Sequence, residues 1–315
     1  MLSEDISDLI RQLRDRGAKR VALQFPAGLK RRAADWAGAL RNQGFDVIVS
    51  GDPCYGACDL ALDTLTLADV LVHFGHAPVE RHERVIYIPW EVDFEASVLE
   101  PALPYLAGKT TGLVTTVQHV HLVPAMESFL KERGIDVRVA EGRGRTPCRG
   151  QVLGCCFSAA RDTGADRVLF VGTGLFHPVG IALSAGAEVV ALDPLTGTVQ
   201  EVSGEALMRR RFAVIEKARK AKDFGIILST KTGQSRPDLA HRLAALSDKA
   251  VIVTMKEVSP DELLNLGIAC YVNTACPRLA YDDQVRFPVP VLSPQEFEIL
   301  CGVRDWDAYA IDEIP

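Results

Sequence analysis

A strand–helix–strand pattern that recurs three times constrains the fold of this 315-residue chain more than any other feature. The strand cores begin at residues 21 and 46, 111 and 136, and 225 and 250, so the spacing is 25 residues in each copy. A further apolar strand follows each copy, at Val70–Phe74, Val168–Val171 and Ile268–Val272. Short apolar runs that alternate with amphipathic helices are typical of parallel sheets built from βαβ units. The pattern predicts an α/β fold of three structurally related small domains; one large doubly wound sheet is the alternative.

The domain boundaries are expected where the pattern is interrupted. Length alone suggests about two domains, and the repeat raises this number to three. The first boundary falls near the proline-punctuated stretch Pro101–Gly108, and the second falls in a long helix at about residues 204–223. We therefore expect domains at residues 1–107, 108–213 and 214–315.

Composition excludes several classes of protein. The chain is 48% hydrophobic with a net charge of -6, which argues against disorder and against a general nucleic-acid binder. No apolar run approaches the roughly 18–20 residues of a membrane span, and the acidic start Met1–Asp5 does not resemble a signal peptide. We expect a cytoplasmic protein, in which eight cysteines indicate metal binding, redox chemistry or burial rather than disulfides.

Each predicted domain offers a cysteine in a glycine- or proline-flanked loop near a strand end, where α/β proteins bind ligands. Cys54 and Cys58 follow the second strand, Cys155 and Cys156 lie in the corresponding loop of the second domain, and Cys276 follows a strand of the third. Adjacent cysteines point in different directions, so one ligand is expected from Cys155 and Cys156. Three thiolates fit a 4Fe–4S cluster with one open iron, or a catalytic zinc ion with water as fourth ligand.

The other three cysteines have structural interpretations. Cys270 lies in a strand and Cys301 on a late amphipathic helix, so we expect both in the core. Cys148 lies in the polar loop Arg143–Arg149, where we expect no specific role.

Two further polar clusters have a structural and a functional interpretation. His73, His76 and His82 could form a metal site, but the sequence favours histidines with structural hydrogen bonds. The run Arg209–Arg211 and four further basic residues make the linking helix basic. Such a run indicates a solvated helix face, and docking of an acidic protein surface is the alternative.

Eight motifs, in order along nearly the whole chain, resemble those of the archaeal diphthamide biosynthesis enzymes, the 2-(3-amino-3-carboxypropyl)histidine synthase family. Three of them contain the loop cysteines. The motifs are Gln24–Leu29, Tyr55–Asp59, Thr115–Gln118, Leu153–Cys155, Val171–His177, Asp193–Pro194, Ser229–Gln234 and Asn273–Arg278.

The resemblance implies a homodimer in which the three domains of each subunit surround a 4Fe–4S cluster held by Cys58, Cys155 and Cys276. It implies S-adenosylmethionine as co-substrate on the open iron and an unidentified electron donor. A reduced cluster then breaks the bond from sulfur to the methionine γ-carbon. The 3-amino-3-carboxypropyl radical adds to a histidine of translation elongation factor 2, and 5′-methylthioadenosine is released. The extra thiols Cys54 and Cys156 leave the ligand at two positions open.

Four residues in these motifs are candidates for contacting S-adenosylmethionine: Gln118, Gly172, Gly174 and His177, the glycines through backbone amides. Local loop structure is the alternative for all four. Two other functions also stay open, a quinolinate-synthase-like 4Fe–4S lyase acting on a small hydroxy acid and a non-catalytic zinc-stabilised scaffold. The contexts of Cys58 and Cys276 favour the transferase.

Overall fold

The computed structural model of the chain describes residues 2–314, with side chains from residue 6 onward. The backbone forms two compact units, one up to Val92 and one from Asp93 onward. The first contains a four-stranded sheet, and the second contains a five-stranded and a four-stranded sheet. The predicted fold class of three α/β units with parallel sheets is confirmed.

The first sheet has the strand order β2–β1–β3–β4, and all its strands are parallel. Leu9 and Leu13 of the first helix, and Trp36 and Leu40 of the second, pack in the core beside this sheet. Each pair is four residues apart, which puts both side chains on one helix face. The elements are α1 (Leu2–Asp15), β1 (Arg20–Gln24), α2 (Ala33–Arg41), β2 (Asp46–Val49), β3 (Val70–Phe74) and β4 (Val85–Ile88).

The second sheet has the order β6–β5–β7–β8–β9. Its last strand pairs antiparallel with β8, an addition that the repeat did not predict. The elements are α3 (Leu103–Leu106), β5 (Thr111–Thr115), α4 (Val123–Glu132), β6 (Val137–Arg138), α5 (Ser158–Asp162), β7 (Arg167–Val171), α6 (Phe176–Ser184), β8 (Glu188–Leu192) and β9 (Val199–Val202).

The third sheet has the order β11–β10–β12–β13, again all parallel. No helix within residues 2–314 is both long and apolar enough to span a membrane. The elements are α7 (Glu205–Ala218), β10 (Phe224–Ser229), α8 (Pro237–Ala244), β11 (Ala250–Met255), α9 (Pro260–Leu266), β12 (Cys270–Asn273), α10 (Arg278–Tyr281), β13 (Val291–Leu292) and α11 (Pro294–Leu300).

The three sheets repeat one arrangement, in which the first strand lies between the second and the third. Paired residues are 26 positions apart in every copy: Arg20 with Asp46, Thr111 with Val137, and Phe224 with Ala250. The strand order reverses between the first and third strands of each sheet. Loops at the carboxyl ends of these two strands form the crevice in which such sheets bind ligands.

The side chains near each expected domain boundary show which core they pack in. Both boundaries stay proposals. Leu99 and Leu106 precede the predicted boundary at 107/108, yet they pack in the same core as Leu113 of β5. We therefore propose that this boundary lies nearer Val92. The second boundary falls within α7, whose Leu207 packs beside the second sheet and whose Ile215 packs beside the third.

The basic helix α7 is not a uniformly solvated face, so that expectation is wrong at Arg211. This side chain is only 1% exposed. Its Nε donates to Glu296 Oε1 at 2.7 Å, and its Nη2 donates to the Val291 carbonyl at 2.8 Å. Arg209, by contrast, is exposed and pairs with Glu205 one turn earlier. Arg211 therefore fastens α7 to α11 through a buried ion pair and to β13 of the third sheet through a hydrogen bond.

Arg211→Ala should lower the free energy of unfolding by about 3–5 kcal/mol, because it leaves the Glu296 carboxylate buried without its cation. Arg209→Ala on the same helix is the matched control, and we expect a change within about 0.5 kcal/mol. Denaturant unfolding measures both. Equal effects of the two substitutions would show that the buried pair does not contribute to stability.

Candidate metal centre

Cys58 lies in the loop that follows β2 in the first compact unit. The loop closes where the Asp59 N–H donates to the Gly56 carbonyl at 3.0 Å. Gln24, at the end of β1, supports it by donating from Nε2 to the Asp59 carbonyl at 2.7 Å. Cys58 is partly exposed, whereas Cys54 is buried. The loop therefore leaves Cys58 more exposed than Cys54.

Cys155 lies at the centre of a tight turn. Leu153 and Cys156, at its two ends, exchange backbone hydrogen bonds of 2.9 and 3.1 Å. The segment just before the turn pairs with Thr115 at the carboxyl end of β5. Cys155 is partly exposed, whereas Cys156 is buried with its sulfur 3.4 Å from Ser158 Oγ. The two adjacent cysteines thus lie in different surroundings, and Cys155 is the more exposed residue.

The surroundings of Cys155 explain why residue 154 is a glycine, and they include a buried arginine, Arg145. A Cβ atom on Gly154 would lie 2.3 Å from Cε1 of Phe176, so a side chain does not fit there. Arg145 is 5% exposed, and its Nη1 lies 3.6 Å from Cys155 Sγ while its Nη2 donates to the Gly233 carbonyl. A cation beside a thiol favours the thiolate. Sequence reasoning missed Arg145, because no motif or spacing distinguishes it within its polar loop.

Cys276 lies in a loop that the side chain of Asn273 organises. Asn273 ends β12 and is fully buried; its Oδ1 accepts from the Ala275 N–H at 3.0 Å, and its Nδ2 donates to the Cys276 carbonyl at 2.8 Å. Thr274 Oγ1 donates to the Ile227 carbonyl of β10 at 2.6 Å. Cys276 is thereby held, partly exposed, at the carboxyl edge of the third sheet.

Residues 311–314, here called the C-terminal clasp, link the cysteine loops of the second and third sheets. Arg236 donates from Nε to a carbonyl of the third-sheet loop at 2.7 Å, and from Nη2 to Asp312 Oδ2 at 2.6 Å. At the other end of the clasp, the Ile314 N–H donates to the Cys155 carbonyl at 2.8 Å. The clasp therefore holds the two loops in a fixed relation within the second compact unit.

The predicted cofactor contacts lie where the strand order of the second sheet reverses. Gln118 follows β5 by three residues, and His177 lies in the first turn of α6, just after β7. The His177 ring stacks on Phe170 with the centroids 5.6 Å apart. Beside it, the Arg278 guanidinium lies 4.5 Å from the Phe176 ring centroid. Arg278 comes from the Cys276 motif, so residues of both sheets meet at this edge.

The backbone amide of Gly172, one of the predicted cofactor contacts, already has a partner within the sheet. The Gly172 N–H donates to the Leu192 carbonyl at 2.9 Å, which continues the pairing of β7 with β8. It is therefore already engaged within the sheet. A Cβ atom on Gly172 would also lie 2.8 Å from the Phe170 ring, which gives this glycine a packing reason. Gly174, with φ of 76°, is exposed, and its contact with a cofactor stays a prediction.

The core position expected for Cys270 is confirmed, whereas Cys301 is only partly buried. Cys270 is fully buried in the core of the third sheet, and burial raises the pKa of its thiol to about 12. Cys301 directly follows α11 and packs against the same core. Burial raises the pKa of the Cys148 thiol, and the charge of Glu141 has a smaller effect in the same direction. Thiols with raised pKa values are poor metal ligands at neutral pH.

Comparison with known proteins identifies the family. A family model described as "Putative diphthamide synthesis protein" matches residues 25–311. The chain belongs to this family. The family predicted from the cysteine motifs is thereby confirmed.

Individual relatives agree with this assignment. The chain is 37% identical to 2-(3-amino-3-carboxypropyl)histidine synthase of Pyrococcus horikoshii, over 98% of this chain and 92% of the relative. It is 31% identical to subunit 1 of the Gallus gallus synthase, over 96% and 77% of the two chains. The crystal structure of Dph2 from Pyrococcus horikoshii with a 4Fe–4S cluster matches with a TM-score of 0.92 and 35% identity, covering 98% of this chain and 93% of that chain.

Asp312→Asn should lower the free energy of unfolding by about 3–5 kcal/mol, because it leaves the Arg236 charge without its partner in a buried site. Asp283→Asn, which removes an exposed partner of Arg286, is the control, with an expected change within about 0.5 kcal/mol. Denaturant unfolding again provides the measurement. A small effect of Asp312→Asn would mean that the clasp does not depend on this ion pair.

Acid should destabilise the fold through His177. Burial, and secondarily the Arg278 charge, lowers the pKa of His177 to about 4, whereas an unfolded histidine has a pKa of about 6.5. Its contribution to stability is complete above about pH 6.5 and is lost as the pH falls towards about 4. In that range His177→Gln should reduce the slope of unfolding free energy against pH by up to about 1.4 kcal/mol per unit.

Denaturant unfolding at a series of pH values measures this slope. His241→Gln, at an exposed position on α8, is the matched histidine control. Equal slopes in wild type and His177→Gln would contradict the prediction.

Proposed function

We propose that the protein transfers the 3-amino-3-carboxypropyl group of S-adenosylmethionine to a histidine of translation elongation factor 2, the first step of diphthamide synthesis. The observation that carries this proposal is the similarity, over 98% of the chain, to a family structure that holds a 4Fe–4S cluster. The relatives are named 2-(3-amino-3-carboxypropyl)histidine synthase, which supports a transferase. The by-product of this transfer is 5′-methylthioadenosine.

Cys58, Cys155 and Cys276 are the proposed cluster ligands. All three are partly exposed, whereas the neighbours Cys54 and Cys156 are buried, and this difference supports the choice within each pair. Three thiolates suit a 4Fe–4S cluster with one open iron. Such a cluster supplies, when bound and reduced, the low-potential electron that cleaves a sulfonium carbon–sulfur bond.

The remaining task of the chain is orientation, because a sulfonium has three carbon–sulfur bonds and the bond that faces the electron source is the one that breaks. Gln118, Gly174 and His177 are the proposed contacts at the edge of the second sheet. The lowered pKa of His177, about 4, keeps its imidazole neutral at neutral pH, so it adds no charge beside a cationic sulfonium. Arg278, at the same edge, has the guanidinium geometry that suits the carboxylate of an amino acid.

The partners belong to the same proposal. We propose a homodimer that acts in the cytoplasm with a low-potential electron donor and receives elongation factor 2 as its protein substrate. The exposed side chains of Arg209 and Arg210 on α7 offer a basic surface for an acidic partner. The family match supports the transferase over a quinolinate-synthase-like lyase and over a zinc-stabilised scaffold.

Replacing Cys58, Cys155 or Cys276 singly with serine should abolish the visible absorption of the cluster and the release of 5′-methylthioadenosine, because each change removes one of three ligands. The assay is anaerobic, with reductant, S-adenosylmethionine and elongation factor 2, and chromatography separates the products. Cys54→Ser and Cys156→Ser are the matched controls and should retain both signals.

Two outcomes would contradict the proposal. Exclusive formation of 5′-deoxyadenosine would indicate cleavage of the other type of bond and a different radical reaction. Loss of the cluster in Cys54→Ser or Cys156→Ser, while the neighbouring cysteine tolerates replacement, would overturn the ligand assignment at that loop.

A further inference from the structure

A second group of metal-binding side chains lies within the first compact unit, on residues that the proposed reaction does not use. One ligand atom from each of Cys54, His73 and His76 lies within 4.8 Å of the other two. Cys54 comes from the loop after β2, His73 lies in β3, and His76 follows the end of that strand. Cys54 and His73 are buried and His76 is partly buried. Such a group of sulfur and imidazole donors is what borderline-soft divalent cations prefer.

The hydrogen bonds of Gln24 fix which nitrogen of His73 can bind a metal. Gln24 Nε2 donates to the Asp59 carbonyl at 2.7 Å, and Gln24 Oε1 accepts from the Ala61 N–H at 3.1 Å, so the orientation of the amide is determined. His73 Nδ1 lies 2.8 Å from the same Oε1 and must therefore donate to it. In the neutral ring, Nε2 then carries a lone pair. A ligating histidine that donates its other N–H to an oxygen is the usual arrangement around a metal.

The distances suit a tetrahedral zinc ion. His73 Nε2 lies 3.0 Å from His76 Nδ1. Zinc–nitrogen bonds of about 2.0–2.1 Å at a tetrahedral angle separate two nitrogens by about 3.3 Å. A zinc–sulfur bond of about 2.3 Å requires a sulfur–nitrogen separation of about 3.6 Å. The Cys54 ligand atom lies within 4.8 Å of the two histidine ligand atoms, so it needs to move closer to them by about 1 Å at most. An ion can therefore replace the hydrogen bond between the two rings with little movement.

The protonation of both rings supports this geometry. Burial, with the neighbouring His76 second, lowers the pKa of His73 to about 3. Burial also lowers the pKa of His76 to about 4, against the opposing effects of a hydrogen bond to the Phe74 backbone and of the Asp59 charge. Both rings are therefore neutral at neutral pH, which is the form that binds metals.

His82, which the sequence grouped with these histidines, is not part of the cluster. Its Nδ1 accepts a hydrogen bond from the Arg84 N–H at 3.1 Å. Within the described residues, Cys54 completes the group in its place. The sequence could not indicate that Cys54, rather than His82, is the third member of the group. Cys54 is 19 positions away from His73 and comes from a different loop.

We propose that Cys54, His73 and His76 bind one Zn²⁺ ion whose fourth position is open to water. The ion ties the loop that carries Cys58 to the end of β3. Binding displaces the thiol proton of Cys54 to solvent and moves the Nδ1 proton of His76 to Nε2, so one proton is released for each ion bound. None of its three residues belongs to the proposed ligand set of the cluster, so zinc binding and cluster binding can be measured separately.

The test is equilibrium dialysis of the full-length, cluster-loaded protein against Zn²⁺, followed by elemental analysis of zinc and iron. Wild type should take up about one equivalent of zinc without losing iron. Cys54→Ser and His76→Asn should weaken zinc binding by more than about 100-fold and should keep their iron. His82→Asn is the matched control and should retain both metals. His76 is only partly buried, so His76→Asn keeps the test informative if Cys54→Ser does not fold.

A second measurement separates this site from the cluster. Co²⁺ replacing zinc should give a thiolate-to-cobalt absorption band in wild type and His82→Asn, but not in Cys54→Ser. In the absence of the cluster, Cys58→Ser should bind one zinc ion more than the double variant Cys54→Ser/Cys58→Ser. No zinc uptake by wild type, zinc retained in both ligand variants, or iron lost with Cys54→Ser would each overturn the proposal.

Discussion

In the second compact unit, the two cysteine loops are joined through a largely buried ion pair between Arg236 and Asp312. Removing two charges from water is costly, and their attraction offsets this cost only where further hydrogen bonds satisfy both groups. Here Arg236 also donates to carbonyls of the Cys276 loop, and Asp312 Oδ1 also accepts from Gln295 Nε2 at 3.4 Å. The pair thus fixes the end of the chain, which in turn holds the Cys155 turn. Two cysteines that are far apart in sequence are therefore positioned by one interaction that neither cysteine motif contains.

A buried amide side chain forms hydrogen bonds with backbone groups in or just before the cysteine loop of each sheet. Gln24 donates to and accepts from the loop of Cys58. Asn273 does the same for the loop of Cys276. Gln151, which is 1% exposed, accepts from the Cys148 N–H at 3.2 Å ahead of the Cys155 turn. An amide suits this task because it offers donors and an acceptor without a charge, so backbone groups in irregular segments are satisfied at little desolvation cost.

The sequence predicted what periodicity and spacing encode: three α/β units with parallel sheets, and a candidate cysteine in a strand-end loop of each. It did not predict β9 or the burial of Arg211. A short strand added at a sheet edge leaves the repeat unchanged, and an arginine is buried only because Glu296 is brought to it from 85 positions away. The sequence did not indicate the contacts of Arg145 or Arg236 either, because the partners of both are distant in sequence. Local patterns report which face of an element is apolar, whereas buried charges are decided by tertiary contacts.

Gln24 has a second consequence for the first compact unit. Its single oxygen accepts from the Ala61 N–H and from His73 Nδ1, so one amide fixes both the loop of Cys58 and the tautomer of His73. A shift of the loop would move this oxygen and weaken its bond to His73, and a change in the protonation of His73 would act on the loop in return. Because Gln24 is only 1% exposed, water does not reach the amide to replace the hydrogen bond to Ala61 or the one to His73. The histidine pair and the loop of Cys58 therefore respond together to any change at Gln24, and this follows from hydrogen-bond geometry alone.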